Sequence, residues 1–129
     1  MKDNKFRIWD DVEEVMSPVL EMYENGYKTV HNELIQDSCF VMQYIGLKDR
    51  KDVEIYEGDI VLFFDKGGLW NIGVVEFFLG QYVYRMKKHE KFKELEGPDN
   101  YFVPTVGTKD TQEVKANIYE NPKYIEGIA

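Results

Sequence analysis

From residue 40 onward the chain is a series of short strand-forming runs, each ended within a few residues by a tight-turn signal, and this spacing most limits what it can fold into. Phe40 to Ile45 is closed by Gly46, and Lys48 to Asp52 is a solvated turn. Ile55-Tyr56 leads into Glu57-Gly58-Asp59, and Ile60 to Phe64 then reads as a buried strand. Asp65-Lys66-Gly67-Gly68 is a turn, because paired glycines accept positive φ without steric cost. Trp70 to Phe78 is the next strand, turned by Leu79-Gly80-Gln81 into Tyr82 to Met86. The alternation of Val83 with Tyr82 and Tyr84 predicts a half-exposed strand. Such short, closely spaced strands predict a mainly β fold, a small antiparallel barrel or roll.

The flanks are less regular. Phe6 to Trp9 is rich in strand formers and is broken by Asp10-Asp11. Ser17-Pro18 reads as a helix cap followed by proline at the first helical position, predicting a short helix through Met22 that stops at Asn25-Gly26. Tyr27 to Ile35 fits strand or helix. Lys87 to Glu96, with Phe92 and Leu95 three apart, fits one or two helical turns ended by Gly97-Pro98. Tyr101 to Val103 and Val114 to Tyr119 are the last strands. No repeat or linker divides the 129 residues. The expectation is a single domain, 1–129, with residues 1–39 as an N-terminal strand-and-short-helix extension packed on a β-barrel core over 40–122.

Aromatic residues make up 15% of the chain and hydrophobic residues 43%, ample for one packed interior. Sixteen Lys and Arg against 24 Asp and Glu give a net charge of −8, which repels a phosphate backbone at long range and disfavours anionic membranes. The charge is uneven: residues 1–64 carry 14 acidic and 7 basic side chains, whereas 65–97 carry 5 and 6. The single cysteine, Cys39, forms no internal disulfide, and its apolar neighbours predict a buried, inert thiol. Met1 to Arg7 holds no apolar core of signal-peptide length, and runs such as Ile60 to Phe64 fall far short of the ~20 residues of a membrane helix. The expected compartment is the cytosol, with no membrane association.

Four blocks carry a resemblance. They are Lys5-Phe6-Arg7-Ile8-Trp9-Asp10, Val41-Met42-Gln43-Tyr44-Ile45-Gly46-Leu47-Lys48-Asp49, Ile55-Tyr56-Glu57-Gly58-Asp59-Ile60-Val61, and Asn117-Ile118-Tyr119-Glu120-Asn121-Pro122. In order and spacing they resemble the YopX family, small proteins of phages and prophages of Gram-positive bacteria. Two departures are visible. Arg50-Lys51-Asp52 stands where the family carries an Asn-Gly-like pair, and Ala116 stands where it carries glycine. The resemblance implies a barrel core of the Src-homology-3 type in a homo-oligomer, and it brings no catalytic residues. Read from the residues themselves, the same blocks are structural. Gly58 suits a sharp bend at a strand start, Glu57 or Asp59 is placed to accept backbone N–H groups there, and Tyr44, Tyr56 and Tyr119 suit a barrel rim.

No arrangement of residues spells out a catalytic site. One Cys and two distant His, His31 and His89, do not make a zinc set, and no calcium-loop spacing is present, so neither metal nor cofactor is expected. The acid pairs Glu57 with Asp59 and Asp10 with Asp11 would serve acid–base chemistry only if burial split their pKa values. Gly67-Gly68 lacks the Lys-Ser/Thr and helix of a phosphate loop. The basic tract Arg85, Lys87, Lys88, His89, Lys91 and Lys93, preceded by Tyr82 and Tyr84, offers charge beside stacking rings, the chemistry of single-strand binding. Glu90, Glu94 and the overall charge oppose that use and favour a solvated surface. The leading expectation is a non-enzymatic phage accessory protein that assembles with itself and binds a host or phage protein. Trp9, Trp70, Tyr82 and Tyr101 then line an interface or fill the core. The alternatives are a nucleic-acid-binding barrel using Arg85, Lys87, Lys88, Lys91 and Lys93, or an acidic DNA mimic that inhibits a host protein.

Overall fold

The computed structural model describes residues 5–36, 38–64, 70–87, 100–105 and 109–125. In chain order its strands are β1 (Phe6–Asp10), β2 (Val15–Pro18), β3 (Glu21–Tyr23), β4 (Gly26–Lys28), β5 (Cys39–Lys48), β6 (Glu54–Tyr56), β7 (Asp59–Phe64), β8 (Trp70–Phe78), β9 (Gln81–Lys87), β10 (Asn100–Pro104) and β11 (Gln112–Asn117). They form a four-stranded sheet in the order β2-β1-β5-β6, a five-stranded sheet β10-β9-β8-β7-β11, and the ribbon β3-β4. Every pairing is antiparallel. Among the described residues there is no α-helix, and none is long and apolar enough to cross a membrane.

The first sheet and the second share one interior. Ile55 from β6 packs with Val61, Phe63, Val75 and Tyr84 of the larger sheet, and Ile45 and Leu47 of β5 close over them. The Phe63 and Tyr84 rings stack with centroids 4.4 Å apart, and the buried Tyr84 hydroxyl donates to Gln112 Oε1. A smaller cluster, Ile60 with Val74, lies against Ala116 and Ile118.

The expected helix from Ser17 to Met22 is absent. Ser17 and Pro18 end β2, with Ser17 opposite Ile8, and Glu21 to Tyr23 form β3. Proline is tolerated at the end of an edge strand, where its missing N–H breaks no ladder. The Asn25-Gly26 turn signal is used, as the reversal between β3 and β4. Tyr27 lies in β4 and bridges to Ile35, so that stretch is partly extended. β9 is not half-exposed at its centre: Val83 and Tyr84 are both buried, because the strand lies inside the sheet between β8 and β10. Cys39 is half-buried rather than fully enclosed, since it opens β5 at the sheet end, opposite Asp10. The helical turns expected over 87–96, apart from Lys87 in β9, and the Gly67-Gly68 turn lie outside the described residues.

Both departures from the family pattern are absorbed locally. Asp52 takes φ of 65°, supplying the left-handed step that an Asn-Gly pair would otherwise give. Ala116 sits inside β11, just past an irregularity in its pairing with β7, and packs on the Ile60 cluster.

Candidate functional site

The residues between β6 and β7 hold the two sheets together. Gly58, at φ of 84°, makes the bend; its N–H donates to Val75 O at 2.9 Å and its carbonyl accepts from Ile118 N at 2.9 Å. A Cβ here would lie 3.3 Å from Met42 Sδ, so close packing adds to the backbone requirement. Glu57 and Gln43 bond reciprocally: Glu57 N–H donates to Gln43 O at 3.0 Å, and Gln43 N–H donates to Glu57 Oε1 at 2.8 Å. Asp59 Oδ2 accepts Tyr56 N–H at 2.8 Å, across the bend as expected, while Oδ1 takes Arg7 Nη2 at 2.6 Å. Burial pushes the Asp59 carboxyl up from its ordinary pKa, and the Arg7 guanidinium opposes that shift. Arg7 also lies 4.7 Å from the Tyr56 ring centre.

The other acidic turn residues are equally committed. Asp10 Oδ1 accepts Val12 N–H at 3.0 Å and Glu13 N–H at 3.2 Å. Asp49 Oδ1 accepts Lys51 N–H at 2.8 Å and Val53 N–H at 2.9 Å, while Oδ2 takes Val114 N–H at 2.8 Å. Asn117 Oδ1 accepts Tyr119 N–H at 3.0 Å and Glu120 N–H at 2.8 Å. Their polar capacity goes to fixing turns. Among the described residues, no group of three or more His, Cys, Asp or Glu is placed to hold a metal ion.

Beside the Glu57–Gly58 bend a cleft of about 310 Å³ opens between β5 and β8. Val41, Met42, Phe77 and Tyr119 line it together with the acidic residues Glu57 and Glu76. Tyr119 stacks on Phe40 at 5.0 Å and lies 6.4 Å from the buried Trp9, which fixes that wall. Phe77 is held edge-on to Tyr82 at 5.0 Å, and the Tyr82 hydroxyl donates to Gln43 Oε1 at 3.1 Å. Burial raises the pKa of Tyr82 and Tyr119, and the Glu57 charge raises both further. A second cavity, about 440 Å³, is bounded by Asp10, Glu13, His31 and Ile35, where Asp10 is already occupied by its turn.

Next to the cleft, the β8–β9 hairpin turns through Leu79 and Gly80, with φ of 49° and 85°. Positive φ at both positions matches the right-handed twist of paired strands, but leucine adopts it at a steric cost. Leu79 is 86% exposed and Phe77 58% exposed.

The basic tract is only partly placed. Arg85 lies on β9 with Nε 2.6 Å from Glu76 Oε1, and Lys87 ends that strand. Lys88, His89, Lys91 and Lys93 lie outside the described residues. Of the aromatics expected at an interface, Trp9 is core and Tyr82 is half-buried; the Trp70 and Tyr101 side chains are outside the described set. Tyr44 and Tyr56 form a tilted pair at 5.7 Å.

The YopX protein family matches residues 5–126. The chain belongs to the YopX family. Solved structures with a similar fold include protein EF1440 from Enterococcus faecalis, at 22% identity and a TM-score of 0.62, covering 98% of this chain and 100% of that one. Protein yopX from Bacillus subtilis aligns at 18% identity and a TM-score of 0.54, covering 97% of this chain and 100% of its own. At these identities the likeness concerns the fold. No curated protein matches. The four sequence blocks that carried the YopX resemblance thus contain the Gly58 bend, the Arg7–Asp59 pair and the Asp49 and Asn117 turns, all structural devices.

Proposed function

We propose that this chain is a non-enzymatic, phage-derived accessory protein of the bacterial cytosol, a small barrel of the Src-homology-3 type that assembles with itself and binds a protein partner. The barrel reading is supported by two antiparallel sheets sharing one core and tied through the Gly58 bend. Membership of the YopX family supports the phage origin. The absence of enzymatic activity is supported by the commitment of Asp10, Asp49 and Asp59 to turns and to Arg7.

The observation that carries the binding role is the hairpin tip. A leucine held at φ of 49° and left 86% exposed gains nothing for the fold, whereas asparagine or glycine would make the same turn without strain. With the exposed Phe77 beside it, Leu79 has the apolar character of an interface centre rather than of a solvated loop. Sedimentation velocity of the purified protein over a concentration series tests the reading. We expect reversible self-association that is lost in Phe77→Ser and Leu79→Asn. A wild type that stays monomeric throughout, and captures no protein in a tip-dependent way, would overturn it.

A further inference from the structure

The cleft between β5 and β8 has a charge that the rest of its surroundings do not cancel. Arg7 is paired with Asp59 at 2.6 Å, Arg85 with Glu76 at 2.6 Å, and Lys5 with Glu54 at 2.6 Å. Among the described residues, each of these cations already has its own anion. Glu57 has none: among the described residues its carboxylate meets the Gln43 N–H through Oε1 and forms no ion pair. Its negative field reaches the phenols of Tyr82 and Tyr119, at Tyr119 outweighing the opposing effect of Arg7.

We propose that this cleft is a binding site for a cationic side chain on an apolar stem, an arginine or lysine presented by a partner protein. The proposal rests on the protein-binding reading above and names the chemistry recognised beside the hairpin tip. Three features of the cleft select that ligand. Its volume, about 310 Å³, suits one long side chain and is at the low end for a small molecule. Its apolar lining, Val41, Phe77 and Tyr119, suits a methylene stem and supplies aromatic residues beside a cation. Its uncancelled charge is a single carboxylate, which accepts a charge-assisted hydrogen bond from guanidinium or ammonium. An anionic group would face Glu57 and Glu76 together, and a neutral apolar group would leave the Glu57 charge desolvated without a counter-ion.

The test uses the full chain and n-butylguanidinium as probe, with n-butylurea and butyrate as the neutral and anionic counterparts, followed by amide chemical shifts. Saturable shifts at Gly58, Val75 and Tyr119 are expected with butylguanidinium alone. Glu57→Gln removes the charge but keeps an oxygen for the Gln43 N–H, so the fold should persist while affinity falls about tenfold, the worth of one charge-assisted bond. Glu113→Gln, remote from the cleft and paired with Lys51 and Lys115, should bind as the wild type does. No saturable shift, equal binding of butylurea, or unchanged affinity in Glu57→Gln with an intact amide spectrum would overturn the proposal. If that happened while Leu79→Asn still abolished association, the cleft assignment alone would fall; loss of both would remove the protein-binding reading as well.

Discussion

A non-glycine residue at positive φ costs about 1–2 kcal/mol unless its side chain forms local bonds, and leucine has none to offer. Under the proposed binding role, Leu79 is therefore a residue where fold and function ask for different side chains. Leu79→Asn should raise the thermal midpoint and stabilise the isolated subunit by about 1 kcal/mol, while weakening self-association. A variant that lost stability instead would show that Leu79 packs within its own subunit. Glu113 gives a residue-level pH prediction. Lys115 and Lys51 hold its carboxyl far below its ordinary pKa of 4.5, at about 2. A lowered native pKa contributes stability above the unfolded value that is lost as pH falls through the native one. Glu113→Gln should be the less stable protein at pH 7, and its stability curve should converge with that of the wild type as pH drops from 4.5 toward about 2. Parallel curves across that interval would mean the lysines contribute nothing through Glu113.

At the scale of elements, the turns bear as much of the structure as the strands do. Asp49 belongs to the β5–β6 turn, yet its Oδ2 takes the Val114 N–H of β11, and the neighbouring Arg50 N–H donates to Gln112 O at 2.9 Å. These bonds occupy the outer edge of β11, which would otherwise be open to pairing with another chain. Asp49→Ala leaves three N–H donors without their acceptor, and we expect a loss of about 3 kcal/mol. It should appear in urea unfolding as a lower midpoint with unchanged slope; a loss well below 1 kcal/mol would show that water replaces the carboxylate. Strands β7 and β9 are legible because each is short, apolar and punctuated, and Trp70 to Phe78 falls where the sequence places it, whereas β5 runs on through Gly46 to Lys48 and β11 spans Gln112 to Asn117 instead of Val114 to Tyr119. The segment around Ser17-Pro18 departs from the helix its sequence suggests because a serine before proline marks a helix start only where local bonding decides. Here the pairing of Ile8 with Ser17 does, a partner nine residues away that capping rules do not consider. The cleft was illegible for the same reason on a larger scale. Glu57 and Tyr119 each stand out in the sequence, but the fold alone brings Val41, Phe77 and Tyr119 to Glu57 from separate parts of the chain.

For the whole molecule, the net charge of −8 and isoelectric point near 4.8 separate the ways in which it can associate. Two copies repel each other at neutral pH, so contact through Phe77 and Leu79 must overcome that repulsion. Raising ionic strength from 0.01 M to 0.1 M shortens the screening length from about 30 Å to about 10 Å and weakens repulsion between exposed charges, leaving apolar attraction intact. Association by the tip should therefore strengthen with salt, and strengthen again as pH approaches 4.8. Nucleic-acid binding by the tract from Arg85 to Lys93 would behave in the opposite way. Its affinity would fall with added salt, steeply if several lysines each displaced a counterion. The engagement of Arg85 with Glu76 removes one of those cations from the outset. A salt series on the purified chain, reading subunit association and single-stranded DNA binding in parallel, therefore decides between the two by the sign of a slope. Association that rises with salt, with no DNA retained at low ionic strength, is the expected result. Association that falls with salt would mean that complementary charges join the copies, and the apolar tip would lose its role.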